Sequence, residues 1–350
     1  MNTIIVVGGG IAGSTMAYTL LQAGHKVVLI NNTQLPYASS VAAGLYNPIV
    51  FKRIVPTWLA NEVIPYCKQF YTNVETNTNA SFHFNIPILK LLTEQQEVDL
   101  WHKQQLNATI APWLGSTTTH TINGIHNKHA GKATVNHSGW VNVPLLLQAY
   151  TSYFATHANC TCINEQVNYQ QIQVSTQAIN YKHITANAIL FAEGVYVSQN
   201  PYFNHIQMKP TKGDVFKITA NLPADYVLNK GCFLIPYAPQ QFIVGATYNW
   251  HDTTWDATPE GRDELLAKLN DIVAVPFAIT QHSAGIRPTT HDRRPTLGAH
   301  PVHKNIFVFN GLGTKGVLLA PYLANHLMEH IYNNVTLMPE VNVDRYSLLK

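Results

Sequence analysis

The chain has 350 residues, of which 46% are hydrophobic and 12% charged, with a formal net charge of +3. That apolar content excludes a disordered chain, and so small and dispersed a positive charge disfavours a nucleic-acid partner. No apolar run has the length of a membrane span, so none is expected.

The amino-terminal stretch reads as strand, loop, helix, strand. Ile4 to Val7 is a short apolar run, Gly8 to Gly13 a glycine loop, and a helix follows to about Ala23, stopped by Gly24. Val27 to Ile30 is the second strand. Gly8-Gly9-Gly10-Ile11-Ala12-Gly13 fits the GxGxxG pattern of a dinucleotide site. Gly8 serves the tight turn, Gly10 the close approach of a diphosphate, and Gly13 the packing of helix on strand, while the N–H groups at Ile11 and Ala12 open the helix. A dinucleotide binder is expected to carry Asp or Glu after the second strand, but Asn31 and Asn32 stand there. An Asn oxygen can accept a ribose hydrogen bond without charge assistance, and Asn32 reads equally well as a turn residue.

Ala188–Phe191 and Ile306–Phe309 are further apolar runs ending in glycine-containing turns, suited to the same sheet. Val215–Ile218, Phe233–Ile235 and Phe242–Gly245 are short strands with no regular helix between them, which suggests a second, mainly antiparallel sheet. Thr258, Pro259 and Glu260 open a helix to about Leu269 as N-cap, first-turn proline and dipole-matching acid. A second glycine loop, Asn310 to Gly316, precedes a helix with apolar residues at Leu319, Leu323, Leu327 and Ile331. The fold class expected is α/β, a Rossmann-like domain interleaved with a second α+β domain on a mainly antiparallel sheet.

Cys67, Cys160, Cys162 and Cys232 are too few and scattered for a disulfide framework and favour a reducing compartment. Cys160 and Cys162 lack a second pair at ligand spacing, and the 17 histidines are dispersed, with His126 and His129 in a surface loop; no metal is expected. Because the first strand begins at Ile4, no signal peptide is expected and the protein is placed in the cytoplasm.

Several segments taken together resemble the D-amino-acid oxidase family of flavoenzymes. They are the first glycine loop, Ser39 to Leu45, Gly139 to Asn142, Phe191 to Gly194, Lys212-Gly213-Asp214, Gly245-Ala246-Thr247, Gly285-Ile286-Arg287-Pro288, and Gly311 to Gly316 with Ala320-Pro321. The resemblance implies FAD as cofactor. It implies an FAD-binding domain from 1–58, 138–205 and 300–350, and a substrate-binding domain from 59–137 and 206–299. Ser40, Ala42, Ala43, Gly44 and Leu45 would lie along the diphosphate and flavin, Val167 would reach adenine, and Ala192, Glu193 and Gly194 would turn beside the diphosphate. Gly311, Gly313, Thr314, Lys315 and Gly316 would face the flavin, where a helix N-terminus suits the charge of the reduced ring. Arg287 matches the arginine that binds a substrate carboxylate, with Arg293 and Arg294 as surface residues. Phe233 stands where the family often has a tyrosine, so Tyr237 or Tyr248 is the candidate for that hydroxyl, and either reads equally as packing.

The activity implied is oxidation of a small-molecule amine or amino acid: hydride transfer to flavin, imine hydrolysis, and reoxidation by oxygen. The alternatives are a flavin dehydrogenase serving a quinone or other electron carrier, an NAD-dependent dehydrogenase, and a non-catalytic flavin-bound protein.

Overall fold

The structure is a computed structural model and describes residues 1–346; the last four residues of the expected 300–350 segment lie outside them. The α-helices are α1 (Ile11–Gln22), α2 (Ala60–Thr78), α3 (Gln95–Gln105), α4 (Val143–Thr156), α5 (Pro259–Asn270) and α6 (Gly316–Asn333). Among the described residues, no helix is long and apolar enough to cross a membrane.

The run Ile4-Ile5-Val6-Val7 is buried on both faces, which is why it can sit inside a parallel sheet. Strand Thr3–Val7 pairs in parallel with Lys26–Ile30 on one side and Ala188–Phe191 on the other, with Val7 level with both Ile30 and Phe191. The six-stranded order is Cys160–Ile163, Lys26–Ile30, Thr3–Val7, Ala188–Phe191, Ile306–Asn310, Thr296–Ala299. Ile4 and Val6 join the core under α1, α2, α4 and α6. Ile5 and Val7 face a second core, shared with the three-stranded sheet that contains Ile179–Tyr181. Two neighbours of the first strand thus leave its carboxyl end in opposite directions, the place where such sheets open a crevice.

The second sheet has eight strands, ordered Phe277–Arg287, Thr211–Ala220, Gln241–Gly245, Cys232–Ala238, Val227–Lys230, Ile88–Leu92, Gly131–Val135, Leu114–Thr118. Every pair is antiparallel except Val227–Lys230 with Ile88–Leu92. Helix α5 covers one face, setting Leu265 and Leu269 against Phe216, Ile218 and Val244. Its start is as expected: Thr258 caps it, the side chain accepting from Gly261 N–H.

Three features differ from the sequence reading. Strand Thr211–Ala220 is much longer than Val215–Ile218, because it pairs along the whole of Phe277–Arg287. That partner strand carries Thr280-Gln281-His282-Ser283 at partly exposed positions and so shows no apolar run. The division at residue 299 falls inside a pairing, since Thr296–Ala299 is hydrogen-bonded to Ile306–Asn310 at the edge of the nucleotide sheet. Helix α2, placed with the substrate-binding segment by sequence, packs on the nucleotide side, with Val63, Ile64, Cys67 and Tyr71 in the core that α1 and α6 share.

Candidate active site

The carboxyl ends of the central strands and the N-termini of α1 and α6 open on one cavity of about 530 Å³, which the eight-stranded sheet closes from the far side. Gly8, Gly10, Ile11, Ala12, Asn31, Asn32, Ala42 to Leu45, Val167, Ala192 to Gly194 and Gly313 to Gly316 all line it, as do Arg287 and Tyr248.

The glycine loop is built by close backbone approach. Gly8 has φ +106°, and a Cβ there would lie 2.4 Å from Ala192 O. Gly13 does not line the cavity: a Cβ at Gly13 would lie 1.8 Å from Gly8 O, so this glycine lets α1 pack on the strand. Asn31 Oδ1 accepts from Gly9 N–H at 2.8 Å, so the residue in the acid's place spends its oxygen on the loop itself. Asn32 Oδ1 accepts from Gln34 N–H at 2.9 Å, the turn role.

Helices α1 and α6 both begin without a side-chain cap from the N-cap residue and without an acid in the first turn. Two positive helix ends therefore face one cavity with no acid in either first turn to neutralise them. An elongated cofactor with a diphosphate at one end and a ring that gains negative charge at the other fits this arrangement, and FAD is such a molecule. Lys315, at the start of α6, donates to Thr57 Oγ1 at 2.5 Å. Burial, aided by the Arg294 charge, pushes its ammonium down to about 8.

Glu193 accepts from Tyr169 Oη at 2.7 Å and from Asn200 Nδ2 at 2.6 Å. Burial still outweighs these donors and raises its carboxyl from 4.5 to about 7. A carboxyl raised on folding penalises the folded state once ionised: the penalty is absent below about 4.5 and complete above about 7. The thermal midpoint is therefore expected to fall by about 5 °C as pH rises from about 5 to about 8. Glu193→Gln should flatten that slope in a pH series of melting curves, and a slope that persists in the variant would assign it to another group.

At the other end of the cavity, strand Phe277–Arg287 ends opposite Thr211, its partner across the ladder. The Arg287 guanidinium lies over Gly213, where a Cβ would come within 2.0 Å of Nη2. Nη1 donates to Lys212 O at 3.3 Å, and Nη1 and Nη2 both donate to Thr247 O at 3.2 Å. The Tyr248 ring covers it, 4.4 Å from Cζ to centroid. Burial lowers its pKa, and Tyr248 and Asp214 oppose the shift. Among the described residues, the partners of this half-buried cation are thus carbonyls and a ring face, with no carboxylate bound to it.

Besides Gly13, three expected site residues lie elsewhere. Tyr237 does not line the cavity; its ring packs beside Lys217, with Nζ 5.7 Å from the centroid. Ser40 is exposed and donates to Tyr37 O, whereas its neighbour Ser39 is buried and its Oγ accepts from Ile11 N–H at 3.0 Å. Gly311 is a turn residue with φ +73°, its Cα facing Thr290 rather than the cavity. Phe233 does line the cavity, packed over Gly245, and Tyr248 is the hydroxyl-bearing ring that lies against Arg287. Sequence reasoning missed Tyr169, Phe51 and the stacked pair Tyr196–Trp255, all cavity-lining. Tyr169 and Tyr196 carried a signal, two residues beyond the expected Val167 and Gly194.

Residues 3–330 match the family model DAO, FAD dependent oxidoreductase. The glycine oxidase of Bacillus licheniformis is 25% identical, over 94% of this chain and 93% of that protein. A tRNA 5-methylaminomethyl-2-thiouridine biosynthesis bifunctional protein of Marinobacter nauticus is also 25% identical, but this chain spans only 55% of its length. The crystal structure of glycine oxidase from Geobacillus kaustophilus superposes with a TM-score of 0.79 at 21% identity, covering 100% of this chain and 99% of that one. L-alpha-glycerophosphate oxidase from Mycoplasma pneumoniae, solved with FAD bound, superposes at 0.75 and 16% identity, covering 98% and 99%. At these identities the superpositions speak for the fold, and with the family match and the cavity they lead to one conclusion: the chain belongs to the DAO family of FAD dependent oxidoreductases, with FAD as its cofactor.

Proposed function

We propose that this enzyme oxidises an amine that carries a carboxylate, an amino acid or an N-substituted amino acid, with oxygen as the final electron acceptor. The observation that carries the reading is Arg287, a partly desolvated guanidinium lining the cavity whose partners among the described residues are all neutral. A planar fork with spare N–H groups pairs bidentately with a carboxylate and fixes the carbon beside it. Tyr248 covers the outer side of that pair and limits its access to water. Bound in the cavity, FAD supplies the acceptor for the substrate hydride. The protein's share is orientation and electrostatics, which is why the site needs few ionisable groups. Glycine oxidase activity in similar proteins agrees with a small carboxylated amine.

The test is an anaerobic screen of glycine, D-amino acids, N-methyl amino acids and simple amines for bleaching of the flavin band, followed by oxygen uptake with each compound that bleaches it. Carboxylated amines are expected to reduce the enzyme rapidly, and simple amines slowly or not at all. Bleaching without oxygen uptake would replace oxygen with a carrier.

A second reading has one observation in its favour. Beside Tyr248, the exposed Trp250 is flanked by Lys209 and Arg293 at 5.4 and 5.5 Å from its ring. A flat, cation-flanked ring suits a substrate whose amine is tethered to a base, as the name of the Marinobacter relative suggests for that protein. A nucleoside bearing a carboxymethylaminomethyl group belongs in the same screen.

A further inference from the structure

We propose that Asp214 is a positioning residue that holds Arg287 in place through Thr247. The inference rests on the reading of Arg287 as the carboxylate clamp, and it concerns a residue that touches neither cofactor nor substrate.

Asp214 is 2% exposed, in the strand that also supplies Lys212 and Gly213 beneath the guanidinium. It binds Thr247 at three points. Its N–H donates to Thr247 Oγ1 at 2.8 Å, its Oδ2 accepts from that hydroxyl at 3.0 Å, and its carbonyl accepts from Thr247 N–H at 3.3 Å. Oδ1 accepts from His282 Nε2 at 2.8 Å and from Thr258 N–H at 3.3 Å. The carbonyl held by this clamp is the one that receives both Arg287 nitrogens. Lys212 O, the other acceptor, is fixed in a similar way: the Lys212 side chain is buried and its Nζ reaches Asp252 Oδ2 at 2.5 Å and Thr254 Oγ1 at 2.9 Å.

A buried carboxylate costs stability unless its charge is answered, and a capped helix start does not require one here, because Thr258 already caps α5. What the carboxylate alone can do is accept from three donors at once while its charge attracts the guanidinium beyond Thr247. An amide in its place keeps one oxygen and turns an N–H₂ toward one of those donors, so Thr247 loses either its acceptor or its orientation. The guanidinium then samples more than one position, and a misplaced clamp weakens substrate binding before it changes the chemistry.

The test uses the FAD-loaded enzyme and two readouts. The first is the order parameter of the Arg287 Nε–H group by ¹⁵N NMR, which needs no substrate. In Asp214→Asn it is expected to fall, and an unchanged value overturns the proposal. The second is steady-state kinetics with the best carboxylated substrate of the screen. Asp214→Asn is expected to raise KM about tenfold, mid-range for groups sharing one hydrogen-bond network, with kcat within about threefold of wild type. In an Arg287→Ala background the same change should add less than about twofold. Thr247→Val leaves Asp214 and the start of α5 intact, so it serves if Asp214→Asn fails to fold; it should reproduce the effect, and Thr247→Ser should restore wild-type values. Equal losses in the Arg287→Ala background, or a drop in kcat at constant KM, would make Asp214 a structural residue only. If Arg287 loosens but carboxylated and simple amines respond alike, positioning stands and the carboxylate reading fails.

Discussion

Replacing Arg287 with alanine is expected to raise KM for carboxylated amines by about a hundredfold to a thousandfold. The size follows from where the charge sits. A guanidinium taken out of water and bound to carbonyls gains most when an anion arrives, and a substrate carboxylate that enters without it is desolvated and unpaired. Arg287→Lys keeps a charge but loses the fork, and about a tenfold rise is expected for it. The alanine change also strips Thr247 O of its Arg287 donors and leaves Lys212 O to the Asn249 N–H, so the melting temperature must be measured beside the kinetics. A simple amine that reduces the flavin even slowly gives the control, because its KM should not move. An unchanged KM for glycine or an N-methyl amino acid would remove Arg287 from substrate binding.

Much of this site could be read along the chain, and the parts that could not share a cause. Gly8 to Gly13 and Gly313 to Gly316 were legible because a glycine loop between a strand and a helix is a local pattern with a local reason. Arg287 was legible only through the motif around it. The role of Asn31 was not, because its partner Gly9 lies 22 positions away and nothing local says that the oxygen faces inward. Ser39 and Ser40 differ by one step in a short helical turn, and which of them faces α1 is set by the packing of that turn, not by residue type. Tyr237 and Tyr248 looked alike in sequence, yet Tyr237 leaves the cavity while Tyr248 lies over the guanidinium. Strand Phe277–Arg287 was hidden because its middle is polar and half-exposed, and its pairing with Thr211–Ala220 is long-range. The same pairing brings Gly213 under Arg287 and sets Asp214 next to it in the strand, which no spacing in the sequence announces.

The glycines offer the sharpest separation between scaffold and ligand contact. Gly13→Ala is expected to cost on the order of 3 kcal/mol or more, enough to leave little folded enzyme. Its Cβ would sit 1.8 Å from Gly8 O, and neither that carbonyl nor α1 can retreat, since the Gly8 N–H is bonded to Ile30 O at 2.9 Å and the helix is packed on both sides. Gly44→Ala belongs to the same class, with φ +76° and a Cβ 1.8 Å from Val141 O. Gly10→Ala is different. There the nearest heavy atom to a new Cβ is Ser39 Oγ at 3.2 Å, the end of a small side chain that can give way. The variant should fold, with an apo melting temperature within about 3 °C of wild type. If the diphosphate runs across Gly10 at van der Waals distance, the added methyl collides with the cofactor alone, and the FAD dissociation constant rises about tenfold to a hundredfold. Titration of the apo-protein with FAD, followed by flavin fluorescence, reads that change directly. A Gly10→Ala enzyme that binds FAD as tightly as wild type would place the diphosphate away from Gly10, against the tight approach that the GxGxxG pattern implies.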